Sequence, residues 1–194
     1  MSSITLTTDY KKQLSGINAI RTKLNGAYII TNEVYKDFRG CFRETFNLKN
    51  LQKIIGPYEF VQDCHSISKK NVIRGLHYQI ERPQGKLVQC VRGEIYDVIV
   101  DLRQSSKTFG HWTGFHLFPG SSQLWIPPGF AHGFSVLSDE AEVLYKVTDY
   151  YYPEHERTLL WNDISLVIDW GVDTPILSDK DMNGTIFFEC DKYE

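Results

Sequence analysis

The sequence predicts an all-β protein, a sandwich or jelly roll with few short helices. Two observations carry this expectation. From Tyr28 onward, apolar and polar residues alternate in short segments separated by glycines, the period-two pattern of strands that turn one face to a core. One convincing helix interrupts this alternation, and eight such segments with regular turn signals follow it through the centre of the chain. Strand spacing leaves a jelly roll and an immunoglobulin-like sandwich both open.

Taken in order, residues 1–20 are polar and irregular and read as an N-terminal arm, with residues 21–194 forming a single domain. The helix lies near Leu48, Leu51, Ile54 and Ile55, which form one apolar stripe; Asn47 can cap its start and Gly56 can end it. Strands are expected over 60–68, 72–80, 87–91, 94–102, 112–118, 123–126, 133–137 and 142–152. In 94–102 the residues Tyr96, Val98, Val100 and Leu102 share an apolar face. Asp97 and Asp101 fall on the other, which is expected to be wet or to line a polar cavity. Arg92-Gly93 sits where a tight connection is needed. Beyond Pro153 the alternation fades into a charged run, Glu154-His155-Glu156-Arg157, and then a tail that is expected to pack back on the barrel.

Composition narrows the function classes. The chain has 194 residues, enough for a single core without disulfides or metals. A net charge of -3 offers no basic surplus for phosphate neutralisation along a nucleic acid, though it permits a local cationic pocket. No segment approaches the ~20 apolar residues of a membrane span, and the N-terminal residues lack the apolar run of a signal peptide. Cys41, Cys64, Cys90 and Cys190 are scattered without a C-x-x-C pair, which points to reduced thiols in a cytoplasm.

Three clusters could carry chemistry: 74–79 with 84–87, 125–134, and 144–146 with 149–151. On a regular strand His77 and Gln79 share one face, and Arg74, Leu76 and Tyr78 the other, unless Gly75 introduces a bulge. Each residue alone has a bland reading. His77 would be a half-buried histidine, Lys86 and Arg74 solvated charges, Tyr145 a core residue, and the proline-glycine before His132 a turn.

Their conjunction changes that reading. The run Pro127-Pro128-Gly129-Phe130-Ala131-His132 resembles the second half-motif of cupins, P-x-G-x-x-H. The first half-motif, H-x-H followed by a glutamate, stands here as His77-Tyr78-Gln79 with a displaced Glu81. Two candidate histidines are too few for a metal cupin, so no metal is expected. The strings DFRGCFRE (37–44), FVQD (60–63), RGLHYQ (74–79), QGKLVQCVRGEIYDVIVDLR (84–103), QLWIPPGFAHGFSVLSDEAEVLYKVTDYYYPEHER (123–157) and PILSDKD (175–181) together resemble the dTDP-4-dehydrorhamnose 3,5-epimerase family over about four-fifths of the chain.

That resemblance implies a cupin-like double-stranded β-helix, the jelly-roll alternative. It also implies proton removal and return at C5 and C3 of a dTDP-linked 4-keto-6-deoxyhexose, in deoxysugar (rhamnose) biosynthesis. His77 would be the base, because an imidazole titrates near ~6.5. Asp181 would be its carboxylate partner, preferred over Asp169 for its Ser-x-Lys-Asp context. Lys86 would stabilise the enolate oxygen, and Tyr145 would donate from the opposite face of the ring. No cofactor is implied, since the substrate's own ketone is the electron sink. Arg74 and Arg39 match phosphate contacts. Glu44, Gln62, Tyr151, Phe42, His132 and Lys180 match positions lining the nucleotide or sugar pocket. A homodimer is implied, with some of these residues reaching across its interface. Cys64 departs from the asparagine that often follows Gln-Asp in the family, which puts nucleotide or sugar preference in play. Two other readings remain, an epimerase acting at C3 or C5 alone and a catalytically silent cupin that binds a sugar nucleotide.

Overall fold

The computed structural model describes residues 11–14 and 16–194, the first four as backbone only. Its strands in chain order are β1 (Lys11–Leu14), β2 (Ile17–Arg21), β3 (Tyr28–Asn32), β4 (Tyr35–Asp37), β5 (Gly40–Phe42), β6 (Gln62–Lys69), β7 (Ile73–Gln79) and β8 (Lys86–Arg92). There follow β9 (Ile95–Asp101), β10 (Trp112–Leu117), β11 (Gln123–Ile126), β12 (Phe130–Val136), β13 (Glu140–Val147) and β14 (Glu156–Thr158). Helix α1 (Leu48–Ile55) precedes β6, and a single turn, α2 (Asp179–Met182), lies near the end.

Two antiparallel sheets build the body. One runs β1-β2-β3-β11-β8-β13-β6, the other β10-β9-β12-β7-β14. Val88, Leu124 and Val143 of the first sheet meet Ile95, Ile99 and Phe134 of the second in one buried cluster, so the sheets pack face to face. The fold is all-β, a cupin-like jelly roll, which resolves the alternative that strand spacing left open.

Each sheet is also covered from outside. Helix α1 forms where the stripe predicts it: Asn47 Oδ1 accepts from the Asn50 N–H at 3.2 Å, and Gly56, at φ +97, closes the last turn. Its buried Leu51 and Ile55 rest on Ile30, Leu87 and Trp125 of the larger sheet. The tail covers the smaller one, with Leu159, Leu166 and Trp170 packed against Val98, Val100 and Leu76.

Some expectations need correction. The irregular arm over 1–20 is replaced, in its described part, by β1 and β2, which add to the larger sheet; residues 1–10 and 15 lie outside the described residues. The strand expected over 142–152 ends at Val147. Strand β14 and helix α2 were not expected. Asp97 and Asp101 are both 0% exposed, so that side of β9 is not wet; the tail covers the even-numbered face, and the odd-numbered one points inward.

Candidate active site

The site begins with a backbone irregularity. Strand β12 pairs with β7 so that His132 faces His77 while Phe134 faces Arg74, two steps on one strand against three on the other. Gly75 takes up the extra residue at φ +111. A Cβ there would stand 2.6 Å from both Gly133 Cα and His132 O. Only glycine allows this approach. The bulge turns Arg74 to the same side as His77, and both line a cavity of about 420 Å³ between the sheets.

His77 Nε2 lies 2.5 Å from Asp181 Oδ1. Asp181 is carried by α2, whose cap is Ser178, with Ser178 Oγ accepting from the Asp181 N–H at 3.2 Å. Its side chain is 5% exposed. Burial pushes its carboxyl up, but the hydrogen bond and charge of His77, with Ser178 and Lys180, outweigh that and hold it below the usual range. A carboxylate on Nε2–H leaves the Nδ1 lone pair free. The rival Asp169 instead accepts from the Gly171 N–H at 3.0 Å.

The larger sheet supplies the opposite wall. Lys86, at the start of β8, is 8% exposed and reaches the His77 carbonyl at 3.4 Å. Burial pulls its ammonium down to about 8, opposed chiefly by the charge of Asp97. Tyr145 of β13 sits directly across from Cys64 of β6. Burial, followed by Cys64, raises its phenol well above the ordinary value, so it is protonated at neutral pH. Gln62 Nε2 donates to Cys64 Sγ at 3.2 Å. Ser66 Oγ, in the same wall, is buried without a partner.

The cavity brings together His77, Lys86, Tyr145, Gln62, Arg74, His132, Tyr151 and Lys180 of the residues named from the sequence, and Asp181 reaches it through His77. Arg39, Phe42 and Glu44 are not brought there. Arg39 and Phe42 lie on or beside the exposed β4–β5 hairpin, where Arg39 pairs with Asp37 at 2.6 Å and Phe42 is 69% exposed; Glu44 follows it, also exposed.

Sequence reasoning missed Glu156. Its carboxylate lines the cavity, accepts from Lys180 Nζ at 2.8 Å and from the Tyr151 hydroxyl at 2.9 Å. Burial pushes it up, but those two donors prevail and lower it. In the charged run 154–157 nothing distinguishes it; only the pairing of β14 with β7 aims it inward. Among the described residues, no group of three or more His, Cys, Asp or Glu side chains is placed to hold a metal ion.

Known proteins resemble this chain over most of its length. A family model described as dTDP-4-dehydrorhamnose 3,5-epimerase matches residues 21–189. An epimerase of that name from Shigella flexneri is 52% identical, the match covering 91% of this chain and 99% of the relative. One from Pseudomonas aeruginosa is 49% identical, covering 90% and 98%. A crystal structure of the dTDP-6-deoxy-D-glucose-3,5-epimerase from Legionella pneumophila Philadelphia 1, in complex with dTDP-4-keto-L-rhamnose, superposes with a TM-score of 0.86 at 45% identity, covering 90% and 95%. With a family match over most of its length and relatives at half identity, the chain belongs to the dTDP-4-dehydrorhamnose 3,5-epimerase family.

Proposed function

We propose that this protein is an isomerase that inverts C3 and C5 of dTDP-4-dehydro-6-deoxy-D-glucose, giving dTDP-4-dehydro-L-rhamnose in deoxysugar biosynthesis. The observation that carries the reading is one cavity with His77 of the smaller sheet, backed by Asp181 of α2, on one side and Tyr145 of the larger sheet on the other. Family membership supports the substrate class.

In this reading His77 Nδ1 takes the proton from C5, and the C–H electron pair moves into the C4 carbonyl to form an enolate. The Asp181 carboxylate steadies the imidazolium that results. Lys86 offers a cation to the enolate oxygen. Tyr145 then gives its proton to C5 from the opposite face, inverting the carbon; the His77 imidazolium releases its proton to solvent and the Tyr145 phenolate takes one from solvent before the cycle repeats at C3. An imidazole base opposed to a phenol that burial keeps protonated is what such a transfer requires. Arg74 and Lys180 supply positive charge for the diphosphate, with Gln62, His132 and Tyr151 shaping the sugar and nucleotide pocket.

The protein acts in the cytoplasm and as a homodimer. The β4–β5 hairpin, with Phe38 at 98% exposure beside Arg39 and Phe42, stands outside its own cavity and offers Arg39, Phe42 and Glu44 to the cavity of a second copy.

Incubation with dTDP-4-dehydro-6-deoxy-D-glucose in D₂O, followed by proton NMR, tests the reading. Deuterium with inversion at both C3 and C5 is the expected result, and His77→Ala is expected to lower the rate by ~10²–10⁴-fold. Exchange confined to one carbon points to a mono-epimerase. No exchange at either carbon sinks the proposal.

A further inference from the structure

The His77-Tyr78-Gln79 half-motif leaves one residue without a task. Gln79 stands where H-x-H has its second histidine. It is 3% exposed and does not itself line the cavity. Both hydrogens of its side-chain amide and its oxygen are nevertheless engaged. Nε2 donates to Tyr150 O at 3.1 Å and to Arg82 O at 2.8 Å, and Oε1 accepts from the Tyr152 N–H at 2.7 Å. Two carbonyls against the nitrogen and an N–H against the oxygen fix which way the amide points.

These bonds bracket Tyr151. The Tyr150 carbonyl belongs to the peptide unit before it and the Tyr152 N–H to the one after, so one side-chain amide takes the place of a neighbouring strand's peptide group. Tyr151 needs such a hold, because it lies in the segment between β13 and β14, lines the cavity and is 50% exposed. A loop side chain left free must be ordered when a ligand binds, and that cost weakens binding.

We propose that Gln79 is a positioning residue whose amide clamps the backbone on both sides of Tyr151, presetting that ring for the nucleotide sugar at the open side of the cavity. The inference rests on the reading of Tyr151 given above and assigns its support to a residue outside the cavity.

The clamp has a firm base. The Gln79 backbone pairs with Glu156 of β14, and the Tyr193 hydroxyl donates to its carbonyl at 2.5 Å. Glu156 in turn accepts from the Tyr151 hydroxyl at 2.9 Å, so the ring is tied at its far end to the residue paired with Gln79. Neighbouring ties do not substitute. Gln62 Oε1 accepts from the Tyr151 N–H at a longer 3.3 Å. Arg82 meets Asp149 at 2.8 and 3.0 Å, but its side chain is 48% exposed and exposed ion pairs contribute little. His77 is set separately, by Asp181 of α2.

The test is a double-mutant cycle read by calorimetric binding of dTDP. Gln79→Met, close in volume but without an amide, is expected to raise the dTDP Kd about fivefold or more, the low end of what loss of one aromatic contact to a base costs. Tyr151→Ala is expected to raise it likewise, and Gln79→Met added to Tyr151→Ala to bring less than about a further twofold change. In turnover Gln79→Met raises KM by a similar factor while kcat stays within about twofold, since His77 keeps its carboxylate partner. Losses that multiply in the double variant overturn the proposal, as does an unchanged Kd in Gln79→Met or a kcat that falls at constant KM.

If Gln79→Met does not accumulate as folded protein, Gln79→Asn enters the same cycle, with the same expected and overturning results; its amide falls one methylene short of the peptides around Tyr151. Wild-type protein that binds dTDP with this coupling but leaves C3 and C5 unchanged removes the functional reading and keeps the clamp. Wild-type protein that binds no dTDP removes both.

Discussion

Asp101 shows how much one buried carboxylate can organise. Its side chain is 0% exposed and accepts from Arg103 Nε and Nη2 at 2.8 and 2.7 Å, from Ser106 Oγ at 2.6 Å and from Thr108 Oγ1 at 2.7 Å. Burial pushes its pKa up, but these charge-assisted bonds win and hold it below 3.8. A carboxyl depressed on folding stabilises the protein above its unfolded pKa, and that contribution is lost as pH falls through the folded value. Urea midpoints are therefore expected to drop below about pH 4. Asp101→Asn is expected to lose ~3–5 kcal/mol at pH 7, since it leaves Arg103 unpaired, and to show a flatter acid limb. Equal acid slopes in both proteins would refute the assignment. None of this network was legible in the sequence, where Asp97 and Asp101 read alike as polar positions on one strand face. His77, Lys86 and Tyr145 were legible because each sits in a run of recognisable neighbours. Glu156 was hidden by the charges on either side of it.

Elements were legible in proportion to how much of their stability is local. Helix α1 carries its own cap, stripe and terminator, and eight central strands carry their own alternation. The three-residue strand β14 has no such signals and the single turn α2 has only its Ser178 cap; β14 pairs with β7, and α2 is tied to it through His77. The sequence raised a bulge at Gly75 only as a condition, because whether a strand is interrupted depends on its partner. That partner is β12, whose Gly133 approaches Gly75 so closely that neither can carry a side chain. Gly75→Ala therefore forces the two backbones apart and strains a left-handed residue, at an expected cost of about 3 kcal/mol. Since Arg74 and His77 flank the bulge, activity is expected to fall further than stability. A thermal melt with a parallel rate measurement checks both; a Gly75→Ala variant with wild-type values of each would contradict the geometry.

The whole molecule is a jelly roll because both sheets must hide their outer faces as well as the shared one, and α1 and the tail do so. Length and alternation could foresee two sheets but not which strands neighbour one another, since that depends on contacts between distant residues. The proposed homodimer belongs to this scale too. Sedimentation at micromolar concentration is expected to give twice the chain mass, and Arg39→Ala to raise KM several-fold with kcat little changed, as loss of a uniform phosphate contact would do. A monomer of full activity would oppose it. The division of residues between the sheets has a stereochemical consequence. His77 belongs to the five-stranded sheet, Lys86 and Tyr145 to the seven-stranded one. A ring bound flat between the sheets would show its top to one and its underside to the other, so the proposed deprotonation and reprotonation would be antarafacial. On the proposed roles, retention would require the hexose to turn over before its carbanion is quenched, and the architecture itself selects the L-configured product.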